Sequence, residues 1–307
     1  MKLQPVRTFS QLLERAQKEK TKKVAIVCAE NDIALKALAS AVAKKIARPV
    51  LIGDENNIRE KISALDLTAE LSTATFFQAR TVEQAAEYAV ALGRNGKVDI
   101  LLKGNLRTDQ LLRAVLHKEK GLRRGELLSD ILLYEDKCSG KTRLVGITDG
   151  GLTPQPNLQQ KIALIRNAVP VMQALGISRP KMGLMSATES ISEAVPSTVD
   201  AQKITEKAGE LFTDCDVFGP LALDNALLKS AAEAKGISSP VAGAVDCMIA
   251  PNIEAANMTA KAVKYIGGST CAHVIMGAQI PVLIPSRVES AEDKLYAIAL
   301  GVLIDAD

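Results

Sequence analysis

Near the C-terminus, the stretch IPVLIPSRVESAEDKLYAIALGVL, residues 280–303, places a hydroxyl, a guanidinium and a carboxylate (Ser286, Arg287 and Asp293) between the end of an apolar run and the start of a helix. An arginine presents a planar fork of donors that matches phosphate oxygens in pairs, which a lysine point charge does not. A hydroxyl such as that of Ser286 can donate to an oxyanion developing in a transition state. The same spacing also has a purely structural reading. Ser290-x-x-Asp293 fits a capping box, with Asp293 complementing the helix dipole from the third helical position.

Two further segments carry polar groups at predicted strand-to-helix junctions. In PNIEAAN, residues 251–257, Asn252 suits a helix cap, Glu254 falls in the first turn, and Asn257 lies inside the helix, where asparagine is a mediocre former. In FGPLALDNALLKSAA, residues 218–232, Gly219-Pro220 is read as the start of a helix, with Asp224 and Asn225 as adjacent polar residues inside it. A solvated helix face is the commoner explanation of such a pair, and a turn facing a cleft is the alternative. LLKGNLRTDQLLR offers Lys103, Arg107 and Arg113 as cations but lacks the Walker spacing of a phosphate loop.

The elements that must position these groups follow from periodicity. Short apolar runs (Lys22–Ala29, PVLIGD, VDILLKG, KMGLMSA, VDCMIAPN, AHVIMGA) alternate with amphipathic stretches of helical length, which predicts mostly parallel sheet covered by helices on both faces. A first helix is expected from Thr8 or Ser10 to about Lys20, and Thr108 is the expected cap of the helix after Gly104. ILLYED and TRLVGITDG, separated by KCSGK, predict an antiparallel pair. The break in pattern near Gly125 divides the chain into a discontinuous first α/β domain, residues 1–125 plus 275–307, and a second α/β domain, residues 126–274. Strand carboxyl ends in such sheets are where ligands bind, and helix N-termini favour anions.

Composition narrows the function. The 307 residues suffice for a large core and a cleft, and 47% hydrophobic with 24% charged residues is ordinary for a globular protein. Aromatic residues make up 3% with no tryptophan, which leaves little for stacking bases, and a net charge of +3 does not call for nucleic acid or a membrane surface as partner. The five cysteines form no CxxC pair and read as reduced cytosolic thiols, and two histidines without HExxH spacing leave no predicted metal site. The N-terminus lacks the apolar core of a signal peptide, and no apolar run is long enough to span a bilayer, so a cytoplasmic protein is expected.

Taken in order, GPLALDNALLKSAAEAKGISSPVAGAVDCMIAPNIEAANMTAKAVKYIGG and IPSRVESAEDKLYAIAL resemble the phosphate acetyl/butyryltransferase family, with the butyryltransferase branch closer. LLKGNLRTDQLLRAVLHKEKGLRRGELLSDILLYE, ITDGGLTPQPNLQQKIALIRNAV and PSTVDAQKI resemble further family segments, so that the similarity covers nearly the whole chain. The resemblance implies a two-domain, three-layer α/β/α fold with an interdomain cleft, similar to isocitrate and isopropylmalate dehydrogenases. It implies a homodimer or a multiple of one, and reversible transfer of a short acyl group between acyl phosphate and coenzyme A, with coenzyme A as substrate and no permanently bound cofactor.

Carried over residue by residue, the resemblance assigns transition-state stabilisation to Ser286, phosphate binding to Arg287, and deprotonation of the coenzyme A thiol to Asp293. Arg113 is a match to a further phosphate-binding arginine, and Asn252, Glu254, Asn257, Asp224 and Asn225 are candidates for binding coenzyme A. Ala256 stands where the family commonly has glycine, and Asp293 is an acetyltransferase signature in an otherwise butyryltransferase-like chain. Direct attack by the thiol needs no protein nucleophile, which fits the missing Ser-His-Asp or Cys-His set. A decarboxylating, nicotinamide-dependent dehydrogenase of similar shape and a silent coenzyme A or acyl-phosphate binding module are the competing readings.

Overall fold

The computed structural model describes residues 4–125, 127–286 and 288–304. Arg287, singled out above, lies outside the described residues. The chain divides into two compact units, one comprising Ser10–Leu128 and the chain from Ala272 onward, the other Ser129–Cys271 with the N-terminal residues through Phe9.

The first of these units begins with α1 (Phe9–Ala16), β1 (Lys22–Val27), α2 (Asp32–Ala43), β2 (Ala47–Gly53) and α3 (Glu55–Ala64), followed by β3 (Thr75–Gln78), α4 (Val82–Arg94), β4 (Ile100–Lys103) and α5 (Thr108–Val115). The other unit contains β5 (Ser129–Asp136), β6 (Arg143–Thr148), α6 (Leu158–Ala174), β7 (Lys181–Met185), α7 (Pro196–Glu206), α8 (Ala208–Leu211), β8 (Asp216–Leu221), α9 (Leu223–Leu227), α10 (Lys229–Ala234), β9 (Cys247–Ile249) and α11 (Ile253–Lys261). A π-helical turn, Ala262–Ile266, prolongs α11. The chain then makes β10 (Cys271–Met276), β11 (Val282–Leu283) and α12 (Ala291–Leu303).

In the unit that holds β1, the strand order is β3-β2-β1-β4-β11-β10. All neighbours there are parallel except β10 against β11. The register Val282↔Leu101 and Leu283↔Leu102 inserts β11 beside β4, and the amide of Leu101 extends the ladder to the carbonyl of Pro281 at 3.1 Å. In the other unit the order is β5-β6-β9-β7-β8, antiparallel only between β5 and β6. The alternation read from the sequence thus yields the expected mostly parallel α/β class. The apolar runs are buried as continuous strands, β4 on every residue, as sheets covered on both faces require.

The structure corrects several local expectations. Gly219-Pro220 does not open a helix but ends β8, and the helix begins at Leu223. Thr108 is the first helical residue rather than the cap, because the Gln110 side chain accepts from the amide of Arg107 at 3.0 Å and fixes the cap one residue earlier. α1 stops at Ala16, and β3, whose pattern is only half-buried, was not predicted. Among the described residues no helix is long and apolar enough to cross a membrane.

One glycine at the end of β4 bears on the site. A Cβ on Gly104 would run into the backbone carbonyl of Cys28 and lie 2.7 Å from that of Val27, two groups that cannot move without breaking the turn after β1. Gly104→Ala is expected to destabilise the protein by about 1–3 kcal/mol. Denaturant unfolding of the variant checks this, and an unchanged midpoint would refute it.

Candidate functional site

The carboxyl ends of the parallel strands β1, β4 and β11 share one edge, and Ser286 leaves that edge three residues after β11. Ser286 is held by two donors. Its carbonyl accepts from the amide of Glu289 at 3.2 Å and from the ammonium of Lys294 at 3.1 Å. α12 then opens with the capping box foreseen from the spacing. Asp293 Oδ2 accepts from the Ser290 amide at 3.0 Å and from Ser290 Oγ at 2.7 Å, while the Asp293 amide donates back to Ser290 Oγ at 3.1 Å. A cap of this kind contributes about 1 kcal/mol.

The cap is nevertheless not a surface feature. Asp293 and Lys294 are each 3% exposed and Glu289 is 5% exposed, with Glu289 Oε1 3.3 Å from His273 Nε2 on β10. Buried charges of both signs therefore surround the turn that begins at the half-buried Ser286. Sequence reasoning missed Lys294, Glu289 and His273. The available signal was Lys294 itself, a lysine on the face that buries Leu295, Ile298 and Val302.

Cys28 directly follows β1, and burial, followed by the charges of Glu30 and Glu83, pushes its thiol up to about 12. It stays protonated at neutral pH and is a poor nucleophile. Arg113 lies elsewhere on the same unit, exposed on a groove of about 400 Å³ that it lines with Arg94, His117 and Lys120 and with Glu83 and Glu87 from α4. Neither Ser286 nor Asp293 lines that groove.

In the other unit the expected residues fall into two groups. Asn252 caps α11 by accepting from the amide of Ala255 at 2.8 Å, as its position suggested. Asn257, unexplained by local propensity, donates from Nδ2 to the carbonyl of Gly150 at 3.0 Å and so ties α11 to the turn after β6. That turn is organised by Asp149, 2% exposed, whose carboxylate accepts from the amides of Gly151, Leu152 and Thr153 at 3.0 Å each. Ala256 packs its methyl into the core cluster that holds Val145 and Met248. Glu254 sits exposed in the first turn of α11.

The second group is Asp224 and Asn225. Asp224 is exposed, but Asn225 is fully buried, which corrects the solvated-face reading for that residue. Asn225 Nδ2 donates to Glu189 Oε2 at 3.1 Å, and Lys235 Nζ reaches both Glu189 and Asp224 at 3.1 Å. The amide of Asn225 and the Lys235 ammonium lower the Asp224 pKa. Asn225 Oδ1 is buried without a hydrogen-bond partner. Among the described residues no group of three or more His, Cys, Asp or Glu side chains is arranged to hold a metal ion.

Comparison with known proteins adds independent findings. The model of the family described as phosphate acetyl/butaryl transferase matches residues 7–90 and 71–302. The chain is 35% identical over 302 residues to phosphate butyryltransferase of Clostridium beijerinckii, covering 98% of each chain. It is 33% identical over 297 residues to phosphate acetyltransferase of Thermotoga maritima, covering 96% of this chain and 99% of that protein. The structure resembles a branched-chain phosphotransacylase from Enterococcus faecalis V583 with a TM-score of 0.79 at 26% identity, over 92% of this chain and 99% of that one.

The Asp149 turn yields a test in pH. Burial, then the nearby Asp130 charge, raise the Asp149 pKa from 3.8 to about 6 against the opposing pull of the turn amides. A carboxyl whose folded pKa lies above its unfolded value adds stability fully present below about pH 4 and lost as pH rises through about 6. Relative to Asp149→Asn, the wild type should therefore gain about 2–3 kcal/mol between pH 7 and pH 4. Parallel stability curves for the two proteins over that range would contradict the shift.

Proposed function

The chain belongs to the phosphate acetyl/butyryl transferase family, and we propose that it transfers a short-chain acyl group reversibly between coenzyme A and inorganic phosphate, giving acyl phosphate and free coenzyme A from acyl-CoA. The observation that carries this reading is the length of the match: relatives named for this transfer align with 98% and 96% of the chain. The dehydrogenase alternative has no comparable support. The enzyme is read as a cytoplasmic homodimer or higher homo-oligomer, to be measured by light scattering.

In the direction of acyl-CoA synthesis, the thiol loses its proton, sulfur bonds to the acyl carbon, and the bond from that carbon to the phosphate oxygen breaks as phosphate leaves. A free thiol with pKa ~8.5 is mostly protonated at neutral pH, so a proton acceptor raises the rate. Ser286 donates to the oxyanion of the tetrahedral intermediate. Arg287 binds phosphate and neutralises it as leaving group, with Arg113 as a further phosphate contact. Asp293 takes the thiol proton or orients the thiol; its burial and its bonds to Ser290 support a fixed carboxylate in the first turn of α12. Asn252, Glu254, Asn257, Asp224 and Asn225 are proposed as contacts for coenzyme A. Asn225 Oδ1, a buried acceptor without a partner, suits a donor such as a pantetheine amide.

Release of free thiol from acyl-CoAs of two to five acyl carbons should depend on added inorganic phosphate, and no turnover across that panel would dispose of the reading. Arg287→Ala should raise the KM for phosphate by about tenfold or more, as loss of a charged hydrogen-bonding partner implies. An unchanged response to phosphate concentration would remove Arg287 from that role. Asp293→Asn retains an oxygen for the cap while removing the charge; if its pH–rate profile stays that of the wild type, Asp293 is not the proton acceptor.

A further inference from the structure

Lys294 sits where two general rules oppose a lysine. It is 3% exposed, and it occupies the first turn of α12, the end of a helix that disfavours a cation. Burial lowers its pKa, while the neighbouring Glu289 and Asp293 act the other way. A buried ammonium in that position needs partners, and the one its Nζ finds is the backbone carbonyl of Ser286 at 3.1 Å.

That carbonyl also receives the amide of Glu289 at 3.2 Å. The Ser286 carbonyl is therefore held by two donors, the neutral amide of Glu289 and a charged donor from the helix that follows. A charge-assisted bond is roughly twice as strong as a neutral one, so the lysine is the stronger of the two restraints. The Asp293 box fixes the start of α12 and with it the point from which the lysine reaches back.

We propose that Lys294 is a positioning residue for acyl transfer, its hydrogen bond to the Ser286 carbonyl fixing the backbone at Ser286 and hence the direction in which the serine hydroxyl meets the reacting acyl group. The proposal rests on the role given to Ser286 above. Lys294 touches no reacting atom in this scheme, and its effect passes through the turn.

Lys294→Met keeps the length and apolar stem of the side chain but removes the donor, and Lys294→Arg keeps a donor and the charge. The methionine variant should lose about tenfold or more in kcat, as the loss of a charged hydrogen bond implies, with KM for acyl-CoA and for phosphate within about threefold of wild type. The arginine variant should recover most of that loss. Amide hydrogen exchange in residues 286–290 should quicken in Lys294→Met while the melting temperature holds.

Full kcat in Lys294→Met, or an arginine variant as poor as the methionine one, would overturn the proposal, as would unchanged exchange in residues 286–290. Should Lys294→Met fail to fold, Lys294→Leu, which also has no donor and no charge, is read in the same way. If the wild type turns over no acyl-CoA, the functional reading has failed, and the exchange experiment still decides whether Lys294 holds the turn.

Discussion

The unit that carries Ser286 depends on a two-residue parallel pairing. β11 offers only Val282 and Leu283 to β4, yet this register decides which edge of the sheet receives the chain that follows. A slip of one residue would exchange the faces of the strand, and Pro281 and Pro285 on either side have no amide to give the ladder, so that beyond Val282 it continues only through the Pro281 carbonyl. The brevity of the strand is thus written into its flanks. What it lacks in hydrogen bonds is supplied by α12, whose buried face of Leu295, Ile298 and Val302 anchors the same segment from its other end.

Much of this was legible in the sequence for a simple reason. Parallel strands buried on both faces read as unbroken apolar runs, and capping residues announce helix starts through local hydrogen bonds, as Asn252 and the Ser290–Asp293 pair did. The misreadings came where tertiary context overrode local preference. Gly219-Pro220 looks like a helix opening, but pairing with β7 draws Gly219 and Pro220 into the end of β8. Asn225 looks solvated because asparagine usually is, whereas here Glu189, distant in sequence, supplies a partner that lets it be buried. Asn257 acquires its meaning only through Gly150, more than a hundred residues away.

Two of the buried ionic groups, one in each unit, follow one pattern. Asp149 is held by three successive amides of its own turn, and Lys294 by the carbonyl of a turn just before its helix. In each case a charge removed from water is satisfied by backbone rather than by a single opposite charge. Such an arrangement orders a loop without requiring a second ionised side chain in a fixed state. The partly exposed trio of Lys235, Glu189 and Asp224 differs in kind, since solvent screens it and its contribution to stability is small.

The division of the chain has a consequence for how it folds during synthesis. The unit begun by β1 waits for β10, β11 and α12, which follow the whole of the other unit in the chain, before β4 has a neighbour on its open side. The other unit draws on residues that precede the first unit in the chain. The amide of Val6 meets the carbonyl of Leu175 at 2.8 Å, and the amide of Phe9 meets Glu135 Oε1 at 2.9 Å. Each unit is therefore closed by contacts of very long sequence separation, the kind that slows folding. While the intervening unit is being made, β4 has an unpaired edge of the sort that recruits other chains. The nascent chain, rather than the finished enzyme, is where this topology is most exposed to misassembly.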